Sequence, residues 1–200
     1  MRKISLIVIH CSATRVDRDF TAKDVDTAHR FRGFSCWGYH YYIRKSGQIE
    51  PMRDEDTVGA HARGFNAISL GVCYEGGLDE DGKAADTRTS RQKESLHRLV
   101  RELLQRYPDA KVVGHRDLSP DTNYNGIVDP WERIKECPCF EVKAETWLFL
   151  SYLLLWWLID HHSSEILFKY LRSFFKLFGG IFFYVFQLVF LLHRFILMYA

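Results

Sequence analysis

Residues 1–142 of the 200-residue chain predict a mixed α/β domain in which helices flank one central, mixed β-sheet. Residues 4–9 form a continuous apolar run that ends at His10, which is typical of a strand buried on both faces. Four leucines and one valine between residues 90 and 105 share one helical face, which predicts an amphipathic helix. Strands and helices mix along this part, and we expect three helices around one sheet.

The segment after the first strand predicts one helix and a hairpin. Thr21 to Asp24 resembles a capping box, which predicts a helix that reaches to about Arg32. Residues 37–43 are aromatic and β-branched, and they predict a strand. This strand is expected to turn at residues 45–48 and to return as the second arm of a hairpin.

The remaining elements are two strands and a short helix. Residues 68–74 predict a strand that the glycines at 76 and 77 close, and residues 111–113 predict a short strand. Asp129 and Pro130 mark a helix start with proline at its first position. This short helix is expected to run through Lys135.

Charge and cysteine content exclude several classes of protein. The 27 basic and 25 acidic residues are interspersed and give a net charge of +2, so we expect no nucleic-acid partner. Five cysteines without regular spacing indicate reduced thiols in a cytosolic setting rather than a disulfide scaffold. The first ten residues lack a long apolar region and a small-residue cleavage site, so we expect no signal peptide.

Three short sequence segments, far apart along the chain, suggest a catalytic zinc site. His10 and His115 each come directly after an apolar run, and either Cys137 or Cys139 would supply a sulfur ligand. Two imidazoles and a thiolate are good zinc ligands, and three protein ligands leave a fourth position for water. The alternatives are polar strand ends for the histidines and a buried, inert role for the cysteine.

Six motifs of the sequence occur in a familiar order. They are VIHCSAT (8–14), GYHY (38–41), VGAHARGFN (58–66), SLGVC (69–73), GHRD (114–117) and CP (137–138). Together they resemble the zinc-dependent N-acetylmuramoyl-L-alanine amidases of the phage-lysozyme type, which share their fold with peptidoglycan recognition proteins. The resemblance covers roughly residues 3–142.

The resemblance implies a ligand set and a reaction. His10, His115 and Cys137 would bind zinc, while Tyr39 and Lys135 match the catalytic tyrosine and lysine of the family. The implied reaction is hydrolysis of the amide between N-acetylmuramic acid and L-alanine of peptidoglycan. Zinc would lower the pKa of its water from about 16 toward 7. The phenol and the ammonium would donate to the developing oxyanion, at about 3 kcal/mol for one such donor.

The catalytic assignments and the groove residues have simpler alternatives. Tyr39 would otherwise be a strand aromatic, and Lys135 a solvated cation favoured by a helix dipole. His61 and Asn66 match groove-lining positions of the family, so the resemblance implies that they contact substrate. A histidine and an asparagine in a glycine-bounded loop would otherwise stabilise the turn.

Residues 121–132 fit the template of a calcium-binding loop, which departs from the family pattern. The oxygen ligands at positions one, three, five and twelve would be Asp121, Asn123, Asn125 and Glu132, with Gly126 at the sharp turn. A bound calcium ion would order the segment that carries the catalytic lysine and the ligand cysteine. The alternative is an Asp/Asn-rich turn followed by a proline-started helix.

Residues 143–200 differ sharply in composition and predict an apolar helical tail. Residues 177–199 are long enough to span a bilayer, which requires about 20 residues. Residues 167–178 resemble an interfacial helix, with the basic residues Lys169, Arg172 and Lys176 off its apolar face. We expect a membrane anchor that keeps the catalytic domain on the cytoplasmic side before lysis. The alternative is a tail packed on protein.

These observations predict a peptidoglycan amidase that uses zinc and associates with a membrane through its tail. Two other classes remain open. One is a zinc-free peptidoglycan-binding module, and the other is a regulatory interaction protein. A non-catalytic module would lack a zinc ligand, whereas all three ligand positions and both catalytic positions are filled here.

Overall fold

The computed structural model describes residues 2–142, which form a five-stranded sheet, a two-stranded sheet and two α-helices. The strands are β1 (Leu6–Cys11), β2 (Thr14–Arg15), β3 (Tyr41–Ile43), β4 (Ile49–Pro51), β5 (Ser69–Tyr74), β6 (Gly77–Leu78) and β7 (Lys111–Gly114). The helices are α1 (Ala22–Phe31) and α2 (Ser90–Arg106). The predicted mixed α/β class is therefore confirmed.

The large sheet has the strand order β4-β3-β5-β1-β7. The central strand β1 is parallel to both β5 and β7, and β3 is parallel to β5. Only the predicted hairpin of β3 and β4 is antiparallel. Because β1, β5 and β7 are parallel, their carboxyl ends meet at one edge of the sheet, where residues following these strands come together.

Both helices begin with capping boxes. Thr21 caps α1, as the sequence predicts, and its backbone N–H and hydroxyl donate to Asp24. Thr89 caps α2 in the same way with Gln92. Satisfying the free N–H groups of the first turn in this way stabilises a helix by about 1 kcal/mol.

The two faces of the large sheet bury different clusters. One face packs Ile7 and Ile9 of β1 against the leucines of α2, which are Leu96, Leu99 and Leu103. The other face carries a smaller cluster of Val25 from α1 with Tyr42 and Cys73. Because alternate residues of a strand point to opposite faces, His10 points away from the leucine face.

Several predicted boundaries are wrong, and the second sheet was not predicted. β1 begins at Leu6 rather than at residue 4, and β3 begins at Tyr41 rather than at residue 37. The helix predicted to run through Lys135 is one 3-10 turn, Pro130–Glu132, so within residues 2–142 two α-helices rather than three flank the sheet. A helix as short as the predicted one forms too few hydrogen bonds to offset the free-energy cost of forming its first turn. The strands β2 and β6 have two residues each, too few for any periodicity.

One acidic side chain at the end of β5 is fully buried. The Glu75 carboxylate accepts hydrogen bonds from Arg44 Nε at 2.9 Å and from the backbone N–H groups of Phe20 and Lys45. A buried charge requires such partners. Glu75 therefore ties the segment before α1 to the hairpin of β3 and β4.

The predicted apolar tail, residues 143–200, lies outside the described residues, as do its interfacial helix and its span at 177–199. The boundary after residue 142 therefore stays a prediction. Within residues 2–142, no helix combines the length and the apolar character needed to cross a membrane.

Candidate metal centre and active site

Two histidines meet where the parallel strands β1 and β7 end. Ile9 and Gly114 are register partners, so His10, which follows Ile9 within β1, and His115, which follows the last residue of β7, are neighbours. Their ring centroids are 4.4 Å apart. His115 begins a 3-10 turn, His115–Leu118, which the Asp117 carboxylate caps by accepting from Gly114 N–H at 2.8 Å. The structure therefore places both histidines at one edge of the sheet.

Cys137 reaches the same place from the far end of the described chain. Its carbonyl oxygen accepts from the backbone N–H of Arg116 at 2.8 Å, which fixes the segment beside His115. Its Sγ atom accepts from the backbone N–H of Cys11 at 3.3 Å and lies 3.8 Å from Nδ1 of His10. Metals bind such a sulfur in its thiolate form.

These three side chains fit a tetrahedral zinc site. Among residues 2–142, His10, His115 and Cys137 are the group whose ligand atoms converge, all within 4.8 Å of one another. Typical zinc–nitrogen and zinc–sulfur distances place two tetrahedral ligand atoms about 3.6 Å apart. The nitrogen-to-sulfur separation of 3.8 Å is close to that value.

Cys139 lies apart from this group. Spacing alone left it open as the sulfur ligand, whereas the family resemblance implies Cys137. Its Sγ atom is 3.7 Å from Sγ of Cys11 and donates to the carbonyl oxygen of Gly77 at 3.3 Å. The structure therefore brings the sulfur of Cys137, rather than that of Cys139, to the two histidines.

Burial keeps both imidazoles neutral. It lowers the pKa of His10 well below its usual value, and the neighbouring histidines and Lys135 lower it further. Burial and then the charge of Lys135 lower the pKa of His115 to about 4. Both rings therefore have a free lone pair at neutral pH, as metal binding requires. Lys135 is exposed, and its positive charge disfavours protonation of both rings.

Tyr39 lies beside His10, with ring centroids 5.1 Å apart. Burial raises the pKa of its phenol well above the usual value, so the hydroxyl stays protonated and can donate. The ring of His29 of α1 also packs against Tyr39, with centroids 5.2 Å apart, and its Nδ1 accepts from the backbone N–H of Gly38 at 2.8 Å. Sequence reasoning missed His29. Its spacing of four from Val25 on the inner face of the helix was the available signal.

The two predicted groove residues have internal partners. The His61 side chain is buried, and its Nδ1 atom lies 3.0 Å from Nε2 of His10. The Asn66 side-chain oxygen accepts from the backbone N–H groups of His61 and Ala62 at 2.9 and 2.8 Å. Asn66 thus stabilises the turn, and His61 belongs to the surroundings of the metal centre.

The predicted calcium loop forms an Asp/Asn-rich turn. The Glu132 carboxylate accepts from Thr122 N–H, from the Thr122 hydroxyl and from Asn123 N–H. These hydrogen bonds, chiefly that of the Thr122 hydroxyl, lower the pKa of Glu132 to about 2. The Asp121 carboxylate likewise accepts from the N–H groups of Asn125 and Gly126. Hydrogen bonds within residues 121–132 therefore account for the turn without a bound ion, as the turn interpretation expects.

The sequence matches a family model and several curated relatives. The family model described as "N-acetylmuramoyl-L-alanine amidase" matches residues 1–138. The endolysin of Klebsiella phage KP32 is 34% identical over 142 residues, which cover 71% of this chain and 85% of the relative. The endolysin of Escherichia phage T7 is 35% identical over 137 residues, which cover 68% and 82%.

Solved structures have a similar fold. The N-acetylmuramoyl-L-alanine amidase LysC from Clostridium intestinale is 32% identical, with a TM-score of 0.57 over 76% of this chain and 86% of that one. The bumblebee protein PGRP-SA is 19% identical, with a TM-score of 0.56 over 74% and 84%. The second likeness concerns the fold alone, and it agrees with the fold that the sequence motifs imply.

Proposed function

The chain belongs to the N-acetylmuramoyl-L-alanine amidase family, and on that premise we propose that His10, His115 and Cys137 bind the zinc ion with which it works. The chain is a peptidoglycan amidase that acts in breakdown of the cell wall. The bond it hydrolyses joins N-acetylmuramic acid to the L-alanine of the stem peptide. The convergence of two neutral imidazoles and one sulfur carries the zinc proposal.

The three ligands have complementary roles. When bound, zinc supplies a Lewis acid that lowers the pKa of a water molecule toward 7 and polarises the amide carbonyl. His10 and His115 present neutral nitrogen atoms, and Cys137 contributes a negative charge that the N–H of Cys11 stabilises. Because a thiolate makes zinc less electrophilic than a third imidazole would, donors from the protein become more important.

Tyr39 and Lys135 are the proposed donors. The Tyr39 phenol stays protonated, and its ring lies against His10, so its hydroxyl can donate to the oxyanion as the amide carbonyl is attacked. The Lys135 ammonium acts on both histidines electrostatically and supplies positive charge at the same place. Removing one such donor typically costs about 3 kcal/mol of transition-state stabilisation.

Mass analysis of digested peptidoglycan tests this function. The expected products are glycan with a free lactyl carboxyl group and stem peptides that begin with L-alanine. A strong chelator should abolish the digestion, and added zinc should restore it. Cleavage within the glycan, or full activity of a His115→Ala variant, would overturn the proposal.

For residues 143–200 we propose attachment to a membrane, with the catalytic domain on the cytoplasmic side before lysis. The support is the sequence alone, namely an apolar stretch of sufficient length preceded by Lys169, Arg172 and Lys176. Cell fractionation of the full-length chain against a chain truncated after Val142 tests it. Full-length protein that stays in the high-speed supernatant, or that carbonate extracts from the membrane, would exclude a spanning anchor.

A further inference from the structure

A chain of hydrogen-bonding groups runs from His10 into the interior of the domain. Nε2 of His10 lies 3.0 Å from Nδ1 of His61, and Nε2 of His61 lies 3.4 Å from the hydroxyl of Ser69. That hydroxyl lies 2.8 Å from the carbonyl oxygen of Phe65. His10, His61 and Ser69 are buried, so these groups depend on one another for hydrogen bonds.

The carbonyl oxygen of Phe65, at the inner end, determines which atom donates in each of these hydrogen bonds. A carbonyl oxygen only accepts, so the Ser69 hydroxyl donates to Phe65, and the Ser69 oxygen accepts from Nε2–H of His61. A neutral imidazole carries one proton, so Nδ1 of His61 then accepts from Nε2–H of His10. His10 is left with its lone pair on Nδ1, the atom 3.8 Å from the Cys137 sulfur.

Two glycines leave the space that the His61 ring occupies. A Cβ atom on Gly59 or on Gly71 would lie 2.6 Å from an atom of this ring, closer than real Cβ contacts. Neither glycine has φ in the left-handed region, so neither is required for its backbone conformation. The absence of side chains at these positions instead makes room for an imidazole at position 61.

From this arrangement we propose that His61 is a positioning residue for the metal centre. By accepting from Nε2–H, it holds the His10 ring so that Nδ1 presents its lone pair toward Cys137 and His115. This inference rests on the zinc site proposed above. Histidine ligands commonly donate their second N–H to a carboxylate, a carbonyl or water, and loss of that partner typically lowers metal affinity 10- to 100-fold. Here His61 is the acceptor for the second N–H of His10, and Ser69 links His61 to the backbone carbonyl of Phe65 through hydrogen bonds.

Three substitutions of His61 in the full-length chain separate positioning from mere packing. His61→Asn keeps an oxygen acceptor near the place of Nδ1, whereas His61→Leu has a similar size without an acceptor. His61→Gln places its amide nearer to Nε2. Zinc affinity is measured by competition with a chromophoric chelator, and the visible spectrum of the cobalt-substituted protein reports on the ligand geometry. Thermal unfolding of the metal-free protein measures the packing.

We expect His61→Leu and His61→Gln to weaken zinc binding by roughly 10- to 100-fold and to change the cobalt spectrum. His61→Asn should retain most of the affinity, whatever the order of the metal-free melting temperatures. Equal affinities for the Asn and Leu variants, or a loss in the Asn variant as large as in the Gln variant, would make His61 a packing residue only. A wild-type chain that binds no zinc would overturn the zinc site and this inference together.

Ser69→Ala provides a second test if His61→Leu does not fold. It keeps the His61 ring but removes the acceptor of its Nε2–H. Without that hydrogen bond, the proton of the neutral ring is no longer held on Nε2. We expect a smaller loss of zinc affinity than for His61→Leu, with a change in the cobalt spectrum. Unchanged zinc affinity and an unchanged cobalt spectrum in Ser69→Ala would overturn the proposal that the hydrogen bonds from Ser69 through His61 position His10.

Discussion

Nδ1 of His10 lies 3.8 Å from Sγ of Cys137, although 127 positions of sequence separate the two residues. One belongs to the central strand of the sheet, and the other follows the last 3-10 turn of the described chain. The ligand set therefore exists only in the folded domain, and zinc binding and folding are expected to be thermodynamically linked.

Zinc should therefore stabilise the protein. At free zinc 100 times its Kd, the free energy of unfolding is expected to rise by about 2.7 kcal/mol, as measured by denaturant unfolding with and without the metal. Cys137→Ser should lose this increment, because it removes the sulfur ligand. Cys139→Ser should keep it, because its sulfur lies outside the ligand group. The reverse result would assign the sulfur ligand to Cys139.

Tyr39→Phe and Lys135→Ala should slow turnover without loss of metal. Each removes one donor to the transition state, so kcat is expected to fall by a factor of roughly 10 to 1000. Zinc content is measured on the same samples by atomic absorption. If both variants lose zinc in proportion to activity, the two residues are structural.

Glu132 should contribute stability that depends on pH. Hydrogen bonds lower its pKa from an ordinary 4.5 to about 2 in the folded protein. The contribution is therefore fully present above pH 4.5 and is lost as the pH falls through 2. The difference in urea midpoint between the wild type and Glu132→Gln should shrink over this range. A difference that stays constant with pH would show that the carboxylate is not the stabilising form.

Glu75→Ala should destabilise the fold strongly. It leaves the Arg44 guanidinium without its buried partner and two backbone N–H groups without an acceptor. Breaking a buried ion pair in this way costs about 3 kcal/mol of unfolding free energy, measurable in urea. Glu50→Ala is the matched control, because Glu50 lies 3.8 Å from the same guanidinium on a more exposed pair. That variant is expected to lose less than about 1 kcal/mol.

The sequence predicts the parts of this fold that periodic patterns determine. The apolar run of β1, the leucine face of α2 and the capping box at Thr21 are local signals, and each is confirmed. The apolar runs before His10 and His115 are also local signals, and the parallel pairing of β1 with β7 brings the two histidines to one edge of the sheet.

The sequence does not show which residues far apart along the chain come into contact in the fold. The choice between Cys137 and Cys139 depends on how one turn is anchored to Arg116, and no spacing rule expresses that. The role of His61 depends on its distance to His10, 51 positions away in the sequence. The calcium template at 121–132 matched because turns and calcium loops use the same Asp and Asn side chains.

The two glycines around His61 impose a volume constraint that joins three positions. In a library randomised at 59, 61 and 71 and selected for zinc retention, a side chain larger than hydrogen at 71 should appear only with a residue smaller than histidine at 61. Position 59 is restricted by His61 and also by Cε1 of His40, which would lie 2.8 Å from a Cβ atom there. A smaller residue at 61 would need its own acceptor for the proton of His10. The side chains at these three positions should therefore change together in the selected variants.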